Sequence, residues 1–260
     1  MFDSKGSFIP NPTHKIFSYP PSGYYRFNLD SESKIIDSIS IAFNISTEEI
    51  SSSLNGLRSD INQEQSLWNI LNGPSIPFYV SSNEKSDIGS ILQIDLLPRL
   101  DSSFRDSFPA SHFKVITQDK QHLSGRLLPT PESGYQAFLD QINSTDVFGL
   151  YFPAAFPEFA ISAQREAFKS LHSSLNICLP GPLDIVSAIT TFPTLLINPV
   201  NYSPILCMSG VHHVDHRLEA VLKSYGPHLE LWILSNLLAP GLEQVSEQWY
   251  GGLTVYRSVK

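Results

Sequence analysis

Charge is scarce in this chain, and so is cysteine. Charged residues fill 16% of its 260 positions, and nowhere do Lys and Arg gather densely. The net charge is -8, with a pI near 5.4. A general nucleic-acid binder needs a basic face to meet phosphate, so this balance excludes nucleic acid as an expected partner. The two cysteines, Cys178 and Cys207, are too few for a disulfide scaffold. Both lie in apolar runs, which predicts buried, reduced thiols. No apolar run is long enough to span a bilayer, so no membrane partner is expected. Met1 to Pro10 holds Asp3, Lys5 and Gly6 and no apolar core, unlike a secretory signal; the expected location is cytoplasmic. With no export signal, the glycosylation-type triplets at Asn44, Asn143 and Asn201 are read as chance. The Gly-x-Ser-x-Gly elbow of serine hydrolases and the glycine fingerprint of dinucleotide binding are both missing.

What is present is apolar. Hydrophobic residues make up 42% of the chain, enough for a substantial core. Residues 1 to 22, rich in Pro, Ser and Gly, predict an extended arm packing through Phe8, Ile9, Ile16 and Phe17. Tyr24 to Leu29 alternates as a strand does, and Asp30 can cap a helix with Ile35, Ile36, Ile39 and Phe43 on one face. Ser46 and Glu49 then form a capping box ahead of Ile50, Leu54, Leu57 and Ile61 at helical spacing. A short third helix is expected to carry Leu67, Trp68, Ile70 and Leu71.

The text from Ile41 to Arg58 resembles the helix-turn-helix of bacterial regulators, which would aim Ser51, Ser52 and Asn55 at a DNA groove. From Asp30 to Glu64, however, seven acids face only Lys34 and Arg58. Phosphate needs the opposite sign, so the pair is read as two acidic helices packing on the core.

Strands are expected at Phe78 to Val80, Ile91 to Leu96 and Phe113 to Ile116, with a helix near Leu100, Phe104 and Phe108. The polar stretch Gln118 to Ser133 suggests a division into an N-terminal part, 1-125, and an α/β part, 126-260, or one continuous domain. In the second part Thr130 and Pro131 open a helix through Ile142, and Val147 to Phe152 is a strand. Helices follow from Ser162 and from Gly181-Pro182. Strands are expected at Leu175 to Leu179, Leu195 to Val200, Ile205 to Met208, Leu229 to Leu234 and Leu253 to Tyr256, with a weak helix from Leu242 to Trp249. This alternation predicts a mixed α/β fold, a layered sheet with helices on its faces.

Three of the eight histidines crowd between Val211 and Arg217. Val214, Leu218, Val221, Leu222 and Tyr225 fall at helical spacing, and Gly226-Pro227 ends the run. A strand handing over to a helix is a common ligand site in α/β folds. On such a helix His212 and His216 share a face, as two metal ligands must, for a divalent metal such as zinc. His213 would then be a general base oriented by Asp215. The zinc-peptidase pattern needs a glutamate where His213 stands, which removes its base. His213-Val214-Asp215-His216 resembles the second half of the His-x-His-x-Asp-His motif of metallo-β-lactamase-fold hydrolases, but Val211 holds the first histidine's place. The acyltransferase signature His-His-x-x-x-Asp meets Arg217 where its aspartate belongs.

Two functions follow as expectations. One is an enzyme or binder of a small molecule or divalent metal, with its site at His212, His213, Asp215 and His216. The other is a non-catalytic protein-interaction partner, using the aromatic-proline stretch 151-159 as a rigid exposed loop together with the acidic N-terminal helices.

Overall fold

In a computed structural model the fold is described for residues 1–23, 27, 31–82, 87–117, 122–197, 203–235 and 245–259. The fold class is α/β: a mixed eight-stranded sheet, a two-stranded sheet and seven helices among the described residues.

Residues 1 to 23 form the expected arm. Phe8 is buried and Ile16 half-buried, but Ile9 and Phe17 are exposed. Helix α1 (Glu32–Phe43) buries Ile35 and Ile39, and α2 (Thr47–Gln63) buries Ile50, Leu54, Leu57 and Ile61. The Ser46 hydroxyl accepts the Glu49 N–H at 3.1 Å, which satisfies one of the donors that a helix start leaves open. The third helix is instead two 3-10 turns, Gln65–Leu67 and Ile70–Asn72, and Trp68 between them is exposed. The expected strand at Tyr24 to Leu29 and the Asp30 cap lie outside the described residues, Phe27 excepted.

Strand β1 (Ile76–Val80) is as expected. Ile91 to Leu96 is not a strand. It belongs to a continuous helical rod made of α3 (Ile88–Ile91), a π-helical segment Leu92–Leu96, and α4 (Leu97–Ser107). The buried residues Ile88, Ile91, Leu92, Leu96, Leu100 and Phe104 recur every three or four positions, while Ile94 faces solvent. Asp87 caps the rod at the Ser90 N–H, and Pro98, which has no N–H to donate to the helical ladder, comes just after the π-helical segment.

Strands β2 (Phe113–Thr117) and β3 (Leu127–Pro129) are followed by α5 (Tyr135–Ile142), which starts at Gly134 rather than at Thr130. Then come β4 (Val147–Pro157), α6 (Ile161–Lys169), β5 (Asn176–Cys178) and α7 (Pro182–Thr191). Every residue of α7 is buried, because it is sandwiched between the β1–β4 part of the sheet and the α1 and α4 helices. The expected strand at Leu195 to Val200 is a turn through Leu196; residues 198–200 lie outside the described residues.

Two corrections bear on function. First, the aromatic-proline stretch is not an exposed loop. Tyr151 to Pro157 continue β4, and Tyr151, Phe152, Phe156 and Phe159 are fully buried. Phe152 pairs with Leu253 and Phe156 with Gly251, so three residues of β4 bulge opposite Gly252. Pro153 sits in that bulge, where its missing N–H breaks no ladder bond.

Second, no helix follows the histidines. Strands β6 (Ile205–Cys207), β7 (Val211–His213), β8 (Leu218–Tyr225) and β9 (His228–Ser235) are joined by tight turns. Leu218, Ala220 and Leu222 point inward in strand alternation. Tyr225 pairs with His228, so Gly226-Pro227 is a two-residue hairpin turn with Gly226 at φ 58°. Strand β10 (Trp249–Ser258) completes the sheet, whose order is β1-β4-β10-β6-β8-β9-β2, with β5 also on β10. Of the expected helix at Leu242 to Trp249, residues 242–244 lie outside the described residues, 245–248 are not helical, and Trp249 begins β10.

Candidate functional site

At the histidine turn, strand alternation sends the His212 and His213 side chains to opposite faces of β7. His213 is buried, and its Nδ1 accepts the Asp215 N–H at 2.9 Å. His212 is half-buried and stacks on His216, with ring centroids 5.9 Å apart and planes 23° from parallel. Desolvation, the Arg165 guanidinium and the neighbouring imidazoles all hold the His212 pKa below its ordinary value. Arg165 is occupied in a structural bond: Nε and Nη2 donate to the Ser209 and Val211 carbonyls at 3.1 Å each.

The Asp215 carboxylate is taken up by Arg217. It takes a bidentate pair from Arg217, at 2.9 and 2.7 Å, and that bonding depresses its pKa strongly. The predicted orienting carboxylate is therefore spent on an exposed arginine. His212 and His216 are together, but no carboxylate or thiol joins them among the described residues. Among the described residues no group of three or more His, Cys, Asp and Glu side chains converges where a metal could sit. What the turn can do chemically is proton exchange at an exposed imidazole.

A second candidate lies against the Phe152–Pro157 part of β4. Strand β1 pairs with β4 only as far as Tyr151, which leaves the Phe152–Pro157 edge free of strand partners. The arm takes that edge: the Phe8 N–H donates to the Ala155 carbonyl at 2.8 Å, and the Ile16–Phe159 bridge follows. Phe8 packs on Phe2, Phe156 and Phe159, with centroids 5.3 to 6.2 Å apart.

A buried carboxylate fastens the arm. Glu158, 0% exposed, accepts from the Ser18 hydroxyl, the Ser22 N–H and the Ser22 hydroxyl at 2.6 to 2.7 Å. Its φ of 64° is uncommon for a residue with a Cβ.

Between arm and sheet is a cavity of about 420 Å³. Its apolar lining includes Pro21, Phe27, Pro74 and Pro157; its polar groups are Lys5, Ser7, Asn72 and Tyr250. The Phe27 ring meets Tyr250 edge-on, centroids 5.6 Å apart. Lys5 sits in a turn closed by Asp3, whose carboxylate accepts the Lys5 and Ser7 N–H groups. The turn is clamped at Gly6, where φ is 82° and an added Cβ would lie 2.5 Å from the Gly73 nitrogen. Lys5 is exposed, and its ammonium makes no ion pair among the described residues.

Sequence reasoning missed these lining residues. The arm was legible as an extended packing segment, and the positive-φ glycine beside Lys5 is the one local signal of a tight turn. A second recess, about 290 Å³ between α1 and the C-terminal ends of α4 and α7, is lined by Lys34, Asp37, Ser38 and Thr194 among others.

Comparison with known proteins found no matching family model, no matching curated protein and no matching solved structure.

Proposed function

We propose that this chain is a non-catalytic binding protein that holds a small organic molecule in the cavity beneath its amino-terminal arm. One observation carries the reading. The cavity between arm and sheet has apolar walls and a few convergent polar groups, the composition that small-molecule sites share, and its volume is in their range. Three prolines and a buried tyrosine supply walls that do not need ordering on binding, which lowers the cost of association. The sequence-predicted site at His212, His213, Asp215 and His216 offers a weaker basis for binding or catalysis. Its carboxylate is committed to Arg217, and among the described residues no third metal-ligating group joins the imidazoles.

The rival reading, a protein-interaction surface, loses its aromatic-proline loop to the core. It retains Ile41 on α1 and Trp68, 84% and 66% exposed, but single exposed apolar side chains are ordinary on any surface.

The test is thermal denaturation of the full chain with a panel of small aromatic and aliphatic compounds. A compound at a hundredfold excess over its Kd adds about 2.7 kcal/mol, a rise in Tm of roughly 5–10 °C. Ala154→Leu, which places a side chain in the cavity, should leave the unliganded protein folded and abolish the rise. Equal rises in both proteins, or no rise with any compound, would sink the reading.

A further inference from the structure

The geometry points to an organic anion, an apolar body bearing one carboxylate, as the class of ligand for the arm cavity; this rests on the binding reading above. Charge complementarity is the argument. Among the described residues, the lining of the cavity contains one cation, Lys5, and no acid. Two carboxylates that fasten the arm, Asp3 and Glu158, are both hydrogen-bonded. Asp3 accepts the Lys5 and Ser7 N–H groups of its own turn, with the Tyr19 hydroxyl 3.4 Å from its second oxygen. Glu158 accepts three hydrogen bonds from Ser18 and Ser22. Among the described residues that line the cavity, the Lys5 ammonium is thus the one charge available to a ligand's head group.

Its backbone is also held firmly. The turn that carries Lys5 packs on Gly73, and a Cβ on Gly73 would lie 3.2 Å from the Lys5 carbonyl. The Asn72 amide donates to the Ser4 carbonyl at 3.3 Å, which ties the opposite wall to the same turn. A cation on a fixed base at one side of an apolar slot selects for a ligand with one charged end and one greasy end. The protein's net charge of -8 works against any anion at long range. Selection must therefore come from contact at Lys5, and because Lys5 is exposed that contact will weaken with added salt.

The experiment is a titration of the full chain with two isosteric pairs, 2-naphthoate with 2-naphthamide and decanoate with decanamide. The wild type should bind the anion of at least one pair tenfold or more tighter than the amide. Lys5→Met should reduce that preference to within about twofold while leaving amide affinity unchanged, and Lys5→Arg should keep it. If amide and carboxylate bind the wild type equally, or if Lys5→Met leaves the preference intact, the anion inference falls and the cavity reading stands. If no member of either pair binds, both fall.

Discussion

Asp184 should make this protein less stable at neutral pH than at mildly acid pH. It lies in the first turn of α7, fully buried. Its Oδ1 accepts the Gly181 N–H at 2.8 Å, the Thr254 hydroxyl donates to Oδ2, and the Tyr135 hydroxyl is 3.4 Å away. Two effects compete. The helix N-terminus and these donors favour the carboxylate, by at most about 2 kcal/mol for the dipole. Burial favours the acid by several kcal/mol, and it prevails: the pKa is raised from 3.8 to about 7. Because the folded value is the higher one, the contribution is fully present below pH 3.8 and is lost as pH rises toward 7. At 1.36 kcal/mol for each pH interval, the loss amounts to roughly 4 kcal/mol. Asp184→Asn removes the titration yet keeps an oxygen for Gly181 and an amide for Thr254, whose hydroxyl can reverse. Urea denaturation at pH 4.5 and 7.5 is the assay, read as the difference between variant and wild type so that other titrations cancel. Those include Glu64, whose pKa the Ser174 hydrogen bond lowers to about 2, and His212. The variant should match the wild type within about 1 kcal/mol at pH 4.5 and exceed it by about 3–4 kcal/mol at pH 7.5. A difference that does not change with pH, or a variant weaker at pH 7.5, would show that Asp184 is ionised and stabilised by its cap, and the reasoning would be wrong.

Three further outcomes are expected. Glu158→Gln gives the arm one acceptor oxygen fewer and no charge for three donors; it should cost about 2–4 kcal/mol and expose Lys5 and Lys15 to trypsin, and an unchanged cleavage pattern would refute the latch. Burial pushes the Cys207 thiol up to about 12 and raises Cys178 too, so native protein should stay unlabelled by a thiol reagent while denatured protein titrates two groups; rapid native labelling of either contradicts this. His213→Ala removes a buried ring and the acceptor of the Asp215 N–H and should cost about 1–3 kcal/mol, whereas His212→Ala and His216→Ala should stay within about 1 kcal/mol; the reverse order in urea midpoints would overturn the assignment of His213 as structural.

The elements legible in the sequence are those whose signal is local. The Ser46 cap and the spacing of Ile50, Leu54, Leu57 and Ile61 specify α2 without help from the rest of the chain. Strands β1, β2, β9 and β10 were marked by β-branched and aromatic runs between turn residues. Ile91 to Leu96 misled because a short apolar run fits strand and helix alike. Only with Ile88 and Leu100 counted in does the helical period win, and the Asp87 cap decides it. The aromatic-proline stretch misled for a related reason. Two prolines argue against a central strand, unless one falls where the ladder is already broken, and that break at Gly252 is a property of the pairing with β10.

The histidine turn shows how one period error moves a functional reading. Leu218, Val221, Leu222 and Tyr225 suit a helix face, while Leu218, Ala220 and Leu222 suit a strand; both sets are in the same eight residues. The helical choice put His212 and His216 on one face and freed Asp215 for an imidazole. In the strand choice a turn lies between β7 and β8, Asp215 hydrogen-bonds its neighbour Arg217, and His212 and His213 diverge. Gly226-Pro227 is the deciding text, since it closes a two-residue hairpin as readily as it stops a helix, and β9 is there to pair with. The arm cavity had no local text at all. Lys5, Asn72 and Tyr250 meet only after β10 has crossed the sheet beside β4 and the arm has filled the edge that β1 leaves open. Such a site is set by where strands end, and strand ends are fixed by tertiary pairing rather than by the residues that come to line the space. Gly6 is the exception, because its positive φ and its close approach to Gly73 leave no room there for a side chain.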